Sequence, residues 1–328
     1  MALGEAVVDE HIRKWKAELD KPWYPYRTKW PDRLFHHSPL ENAVSILRDG
    51  NLRSRLDPAN RRTKDVAAAG VIDNRDEAHQ FGRLYFRPKT PTQWHIEGIR
   101  RADECAYGEA THAPILYMMV FDARSILTKP GIRFSDRNMQ LGNAEVGSGE
   151  DFFGEIPFAK VFHEGTTGGD RTIIDHRCAE VLVPSPLELS GTLQTVFCRT
   201  NAERQTLLYA LGDQASQWKD KLVVSDDTLV FNRRYVFVEE VTLRSDGVTF
   251  QISPRYDRAD ISITLKVRNT KGETVVDFRR SKMPATPDPP SKRWWIERDL
   301  RNGKYEVELS LEGHMAFRAE LTLGDKLI

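Results

Sequence analysis

The stretch LFHHSPLENAVSILRDG, residues 34–50, decides the first part of the fold. Its apolar start predicts a short strand that ends in a pair of histidines. Ser38, with Pro39 after it and Glu41 three residues on, predicts a capping box with proline at the first helical position. Gly50 is placed to end that helix. Free backbone N–H groups at the helix start would then favour an anionic ligand beside the histidines.

The composition is that of a globular chain with no overall charge. Of the 328 residues, 40% are hydrophobic, and 48 Lys and Arg balance 48 Asp and Glu. A site for a polyanion must therefore be a local patch rather than a property of the whole surface. The three cysteines, an odd number without a C-x-x-C pair, argue against a disulfide framework and against a zinc knuckle. We expect a protein of the reducing cytoplasm.

The first twenty or so residues predict a docking helix. Val8, Ile12, Trp15 and Leu19 recur at helical spacing and give residues 5–20 one apolar face. The segment is acidic and has no apolar core of the kind found in a secretory signal. The chain has no apolar run long enough to cross a bilayer, so we expect no membrane partner.

The pattern of apolar and polar residues divides the chain into two parts. Up to about residue 222, helical and strand patterns alternate, and APILYMMVF, residues 113–121, is the clearest buried strand. From about residue 225, short alternating runs are separated by turn sequences, and roughly seven strands in the last hundred residues predict a small Ig-like β-sandwich. The expected domains are 1–222 and 225–328, and the fold class is α+β.

Local patterns make three further predictions. GRLYFRPKTPTQWHI, residues 82–96, predicts a strand, a turn and a second strand, and AKVFH, residues 159–163, predicts another strand. Asn201 is expected to cap the helix AERQTLLYAL, which Gly212 ends.

The residues with chemical potential are widely separated. Glu180 lies in the apolar strand CAEVLVP, where alternation turns it away from Ala179 and Val181, toward either a cleft or plain solvent. His36 alone is more often a packing residue than a ligand, and Arg75 beside two aspartates is most simply a surface ion pair. Considered one by one, these residues indicate no particular activity, and the sequence predicts only an α+β protein.

Five segments, considered together in their order along the chain, indicate a function more specifically than any single residue does. They are Phe35–Leu47, the arginine of VIDNR at 71–75, Phe81–Thr92, FSDRN at 134–138 and Arg177–Val183. Together they resemble the motifs of the DarT family, NAD-dependent nucleic-acid ADP-ribosyltransferases that form the toxin halves of DarT–DarG systems. The resemblance runs from about Leu34 to Val183.

That resemblance implies an ADP-ribosyltransferase split-sheet fold for the N-terminal domain, ahead of the β-sandwich that the strand pattern predicts. It implies NAD as co-substrate, no metal, and transfer of ADP-ribose to a base of single-stranded DNA. The implied catalytic residues are Glu180 and Arg75, and the implied NAD-binding residues are His36, Ser38, Asn42 and Tyr85. In such an enzyme, a glutamate that is hydrogen-bonded to the ribose 2′-OH stabilises the positive charge that the ribose carries when nicotinamide departs.

Basic and aromatic residues supply candidate contacts for the acceptor strand. The Gly-rich segment between Asn143 and Arg177 corresponds in position to the loop that reads the substrate in this superfamily. Phosphate contacts are expected from Arg83, Arg87 and Lys89, and base stacking from Trp94 and Phe153. The same residues are equally consistent with an ordinary solvated face.

Several alternatives remain open from the sequence. The acceptor is single-stranded DNA or, alternatively, RNA. An RNA 2′-phosphotransferase shares a similar opening histidine motif, and a degraded module that only binds NAD or nucleic acid is a further alternative. If the chain is an ADP-ribosyltransferase of DNA, we expect a cytoplasmic bacterial toxin or phage-defence protein. Its expected partner is an antitoxin such as an ADP-ribose-removing macrodomain protein.

Overall fold

The structure is a computed structural model that describes residues 2–61, 64, 76–105, 107–224, 229–287 and 293–324. It forms two compact units. The first unit comprises Met1–Ile96, Tyr117–Phe197 and Ser225–Asn232, and the second comprises Glu97–Leu116, Cys198–Val224 and Arg233–Ile328. Residues 97–116 and 198–224 thus belong to the second unit. The sequence-based division at 222–225 stays a prediction for the limits of the domains.

Nine α-helices are assigned within the described residues. They are α1 Glu5–Leu19, α2 Leu40–Asp49, α3 Pro91–Ile96, α4 Ala123–Leu127, α5 Gly149–Glu155, α6 Phe158–Val161, α7 Thr172–His176, α8 Asn201–Leu211 and α9 Ala215–Trp218. Among the described residues, no helix combines the length and the apolar character needed to cross a lipid bilayer.

The strands up to residue 198 form the sheets of the first unit. They are β1 Arg33–Pro39, β2 Asn51–Leu52, β3 Phe81–Tyr85, β4 Leu116–Asp122, β5 Arg133–Ser135, β6 Val146–Gly147, β7 Glu180–Pro184, β8 Leu187–Glu188 and β9 Leu193–Cys198. Within this unit the strands of the main sheet follow the order β9-β4-β1-β3-β7-β5-β6, while β2 and β8 form a separate ribbon. Strand β3 therefore lies between β1 and β7 and brings the first and last family motifs together.

The remaining strands belong to the second unit. They are β10 Leu222–Val224, β11 Phe237–Arg244, β12 Gly247–Ser253, β13 Ile261–Asn269, β14 Thr274–Met283, β15 Trp294–Glu297, β16 Gly303–Leu311 and β17 His314–Leu323. Strands β11-β12-β15 form one antiparallel sheet and β14-β13-β16-β17 a second. Val248 and Phe250 of the first sheet share a hydrophobic core with Leu265 and Val307 of the second. The predicted α+β class with an all-β C-terminal region is confirmed.

The start of α2 differs from the prediction. Strand β1 continues through Pro39, which is the N-cap in extended conformation, and no side chain caps the helix. The expected capping box of Ser38 and Glu41 is therefore wrong. Because a proline disfavours helical backbone in the residue before it, Ser38 stays extended and belongs to the strand. Gly50 ends the helix as expected, with a φ of 70°.

Two predicted strands are helices instead. Residues 91–96 form α3, where the Thr90 hydroxyl accepts from the N–H of Gln93 at 3.1 Å and Pro91 occupies the first helical position. Residues 158–161 form the short helix α6. The cap of α8 is also shifted by one residue, because Thr200 rather than Asn201 accepts from Glu203 N–H. The errors at α3 and α8 both concern a threonine that caps the helix after it.

Helix α1 packs on an aromatic cluster in the first unit. The ring of His11 lies 4.9 Å from Phe153 and 4.4 Å from Phe158, and Trp15 lies 5.6 Å from Phe162. The main-chain N–H of Gly4 donates to the Glu150 carboxylate at 3.0 Å. Helix α1 therefore covers α5 and α6, which belong to the segment expected to read the acceptor.

We expect His11 to make the protein sensitive to acid. Burial, with a smaller effect of the Lys14 charge, lowers the pKa of His11 to about 3. The unfolded chain therefore binds a proton below its ordinary pKa of about 6.5 that the folded state excludes, so stability falls as pH drops from 6.5 toward 3. That loss is about 2 kcal/mol between pH 7 and pH 5 for one such histidine. Urea unfolding of His11→Phe at both pH values should show a loss smaller than wild type by about this amount. An unchanged pH dependence would contradict the assignment.

Candidate active site

Glu180 begins β7 in the middle of the main sheet. Its neighbours Ala179 and Val181 are buried, and Glu180 is itself only 2% exposed. Its main-chain N–H donates to the Ser135 hydroxyl at 3.0 Å, which connects it to the FSDRN segment. The sequence left a cleft or solvent as alternatives for this carboxylate, and the structure buries it.

Arg83 of β3 holds the Glu180 carboxylate through two hydrogen bonds. Nε donates to Oε2 at 2.5 Å and Nη2 donates to Oε1 at 2.6 Å. Burial acts to lower the pKa of Arg83, but the charge and hydrogen bonds of Glu180 outweigh it, and the pKa is raised. Such a two-pronged pair fixes the plane of the carboxylate as well as neutralising it. Arg83 was predicted to contact phosphate, and the sequence did not reveal this pairing.

Tyr85 and His37 complete the cluster around the pair. In the strand register Phe35 lies opposite Tyr85, and Tyr85 opposite Glu180. The rings of His37 and Tyr85 are stacked, with centroids 5.2 Å apart and planes 9° apart. Since side chains alternate along strands, His37, Arg83, Tyr85 and Glu180 share one face of the sheet. His37 is a site residue that the sequence analysis missed; its signal was its spacing of two from Phe35.

Burial controls the protonation of both rings. It lowers the pKa of His37 to about 3, with smaller effects of His36 and Arg83. Burial, followed by the charge of Glu180, raises the pKa of Tyr85. At neutral pH the cluster therefore contains an uncharged imidazole and an uncharged phenol beside the charged Arg83–Glu180 pair.

His36 joins the cluster through the backbone. Its Nδ1 donates to the main-chain carbonyl of Arg83 at 3.0 Å. Burial lowers the pKa of His36, although the bond to this carbonyl acts in the opposite direction. In a regular strand His36 points away from the face that His37 occupies. The structure thus connects His36 to Glu180 through Arg83 rather than by a direct side-chain contact.

Ser38 and Asn42 lie in different settings. The Ser38 hydroxyl is buried and, among the described residues, has no hydrogen-bond partner, which fits a polar group supplied by a ligand. The Asn42 amide donates to the Lys64 carbonyl at 2.7 Å and its oxygen accepts from the Lys64 N–H at 3.0 Å. Asn42 therefore fixes the backbone at Lys64. Arg75 lies outside the described residues.

The expected acceptor contacts fall into two groups. Arg87 is 1% exposed and donates to the carbonyls of Val161 and His163 and to Glu164, while Phe153 is 3% exposed inside the aromatic cluster. Burial argues against the predicted phosphate and base contacts of these two residues, because their polar or flat surfaces face protein. Lys89 is half-buried and Trp94 is 44% exposed, so both remain accessible.

The sequence matches the family described as "ssDNA thymidine ADP-ribosyltransferase, DarT" over residues 35–229, which is more than half of the chain. The chain belongs to the DarT family. The matched region contains β1, β3 and β7 with the whole cluster around Glu180. The predicted family, the enzyme class of ADP-ribosyltransferases and NAD as co-substrate are thereby confirmed.

Solved DarT structures resemble this chain in part. DarT of Thermus sp. 2.9 in complex with ADP-ribosylated ssDNA is 16% identical, covers 60% of this chain and 96% of its own, and gives a TM-score of 0.49. The same DarT in complex with NAD+ is 16% identical, covers 60% and 97%, and gives 0.47. DarTG of Thermosipho africanus in complex with ADP-ribose is 16% identical, covers 70% and 57%, and gives 0.43. A search of curated proteins gave no match.

Cys178, beside the DarT glutamate, is a packing residue. It is buried, and burial followed by the Glu180 charge raises its pKa to about 12. It therefore stays a neutral thiol and is a poor nucleophile, because the nucleophilic form is the thiolate. In the described ranges, no group of three or more His, Cys, Asp or Glu side chains is arranged to hold a metal ion.

Proposed function

We propose that this DarT-family chain transfers ADP-ribose from NAD to the base of a thymidine in single-stranded DNA, with Glu180 as the catalytic carboxylate. The observation that carries the proposal is the Arg83–Glu180 pair in the centre of the sheet, inside the family match. A buried, oriented negative charge suits a reaction that develops positive charge on a sugar.

The residues around the pair fit NAD. In our proposal the buried hydroxyl of Ser38 receives a polar group of NAD, and this accounts for its missing partner among the described residues. The flat, uncharged faces of Tyr85 and His37 suit the nicotinamide ring. The roles of His36 and Asn42 in binding NAD, and of Arg75 in catalysis, remain predictions.

Glu180 then has two roles in the reaction. NAD supplies a ribose that becomes positively charged as nicotinamide leaves. Each Glu180 oxygen accepts one bond from Arg83 and retains capacity for another, so it can bind the ribose 2′-OH and stabilise that charge. A carboxylate in this position also takes the proton from the thymine base as the new bond forms, a contribution typically worth roughly 10²–10⁴-fold.

Mass spectrometry of oligonucleotides tests the activity. Purified protein with NAD is expected to add one ADP-ribose to a single-stranded DNA oligonucleotide with one thymidine, and none to the same oligonucleotide with that thymidine replaced. RNA of matching sequence, with uridine in that place, is compared alongside. Modification of RNA alone, or no modification of any sequence, would contradict the proposal.

We also propose a biological role as the toxin of a bacterial toxin–antitoxin or phage-defence system. It is supported by membership of a family described as modifying thymidine in single-stranded DNA, because such a modification would damage the DNA of the cell that makes the enzyme. The proposed partner is an antitoxin that removes ADP-ribose, and the proposed location is the cytoplasm. Induced expression should stop growth for wild type and not for Glu180→Gln, whereas equal growth of both strains, at equal protein levels, would argue against toxicity.

A further inference from the structure

An aromatic segment lies just before the part of the chain that matches the family. Residues 23–30, WYPYRTKW, precede the match at 35–229. Tyr24 and Tyr26 pack edge to face at 6.1 Å, and Tyr26 lies 5.8 Å from Trp30. Trp30 is buried, whereas Tyr24 is 38% exposed and Trp23 is 62% exposed. Trp23 is the most exposed large apolar side chain among the described residues.

This aromatic segment touches the Gly-rich region expected to read the acceptor. A Cβ at Gly165 would lie 2.9 Å from the Tyr24 hydroxyl, so only glycine permits this close approach, and the φ of Gly165 is 86°. Arg177 donates to the Gly165 carbonyl at 2.8 Å and to the His163 carbonyl at 3.1 Å. Arg177 precedes Glu180 by three residues. The aromatic segment is therefore linked to the start of β7 through Gly165 and the hydrogen bond that Arg177 donates to it.

The surroundings of the aromatic segment carry excess positive charge. Arg27 donates to the Phe162 carbonyl at 3.2 Å, and Arg87 and Arg177 also donate to carbonyls of residues 161–165. Among the described residues, Glu164 is the one carboxylate whose charge raises the pKa of all three arginines, and burial still lowers each of them overall. Three guanidinium groups thus share a single acid.

A fourth cation lies on the aromatic rings themselves. The ammonium group of Lys89 is 5.1 Å from the centroid of Tyr26. Alternating rings and cations, with two exposed aromatic side chains at one end, are the elements of surfaces that bind single-stranded nucleic acid. Bases stack on the rings and phosphates approach the cations, without a need for a particular sequence.

We propose that the segment Trp23–Tyr26, with Lys89, binds the nucleotides of single-stranded DNA that flank the modified base. The inference rests on the proposed function and extends it to a surface outside the family match. In this arrangement the acceptor strand runs from the Glu180 cluster over the Gly-rich region, where Arg177 lies, to the exposed rings of Trp23 and Tyr24.

A length series of oligonucleotides tests the surface. Each oligonucleotide contains one thymidine and is extended on the 5′ side or the 3′ side, and KM and kcat are measured for wild type, Trp23→Ala and the double variant Trp23→Ala, Tyr24→Ala. For wild type, KM should fall as one flank grows. Since one stacked base is worth roughly 1–3 kcal/mol, we expect KM for long oligonucleotides to rise about tenfold in the double variant. KM for the shortest oligonucleotide and kcat should stay unchanged.

Trp295→Ala is the matched control, since Trp295 is a 50% exposed tryptophan in the second unit. It should leave the length dependence intact. Lys89→Gln should reduce the slope of log Kd against log salt for long oligonucleotides by about 0.7, the value for one phosphate contact on a single strand. Equal KM for wild type and both Trp23 variants on every long oligonucleotide would overturn the inference.

The outcome separates this inference from the proposed function. If no oligonucleotide is modified by wild type, the proposed function itself fails. If wild type modifies DNA but the Trp23 variants keep the full length dependence, only the flanking surface fails. The affinity for NAD, measured by calorimetry, provides an internal check, because the Trp23 variants should retain the wild-type Kd.

Discussion

Glu180→Gln is expected to lower the rate of ADP-ribose transfer to DNA by at least roughly a hundredfold. Glutamine keeps the shape of the side chain but removes the negative charge that stabilises the ribose and the group that accepts the proton. NAD binding should change little, because the charge is needed mainly as nicotinamide departs. Single-turnover rates by mass spectrometry and NAD affinity by calorimetry measure the two effects separately.

The control for this variant is Glu203→Gln, which changes another buried glutamate, paired with Arg199 in the second unit. It should leave the chemical step unaffected in protein that remains folded. Activity of Glu180→Gln within a few-fold of wild type would refute the catalytic role of this carboxylate.

The second large effect is expected from Arg83→Gln. Glu180 is 2% exposed and Arg83 is 25% exposed at the side chain, so the variant leaves a buried carboxylate without its partner. Breaking a buried pair typically costs about 3–5 kcal/mol, and we expect the lower end or less because water reaches Arg83. Urea unfolding measures this loss. Transfer activity should fall as well, since Glu180 loses the two bonds that orient it.

The double variant Arg83→Gln, Glu180→Gln separates stability from activity. Two neutral amides can bond to each other, so the double variant should recover much of the stability that Arg83→Gln loses. Its activity should remain as low as that of Glu180→Gln. If the two losses of stability simply add, the two side chains do not act as a pair.

The sequence analysis located the strand that contains Glu180, the proposed catalytic residue, but it did not identify Arg83 as the partner of this glutamate. Glu180 stood out because an acid interrupts a run of apolar residues, a signal contained within a few positions. The pairing with Arg83 depends on strands that are 97 residues apart in the chain, and local patterns contain no information on that register. Arg83 was predicted to contact phosphate because of its charge alone.

The predicted acceptor contacts of Arg87 and Phe153 failed for the same reason. A basic residue before a proline and an aromatic residue in a Gly-rich segment are typical of exposed loops. In the fold, the carbonyls of residues 161–163 surround Arg87, and His11 of α1 helps to enclose Phe153. These partners come from distant parts of the chain, so the burial of both side chains was not predictable locally.

The C-terminal strands were the most predictable part. Their alternation of apolar and polar residues and their turn sequences lie within each hairpin, as at Glu312-Gly313, which joins β16 and β17. Helix α3 was missed because Thr90 and Pro91, a cap and a first-turn proline, were interpreted as a turn between strands.

A crystal structure of Glu180→Gln with NAD bound tests the central claim most directly. We predict that the nicotinamide ribose lies against residue 180, with its 2′-OH within about 3.2 Å of that side chain, a normal hydrogen-bond distance. Ser38 should contact the same NAD molecule. NAD bound elsewhere in the first unit, with residue 180 still enclosed by Arg83 and out of reach of the ribose, would contradict the account.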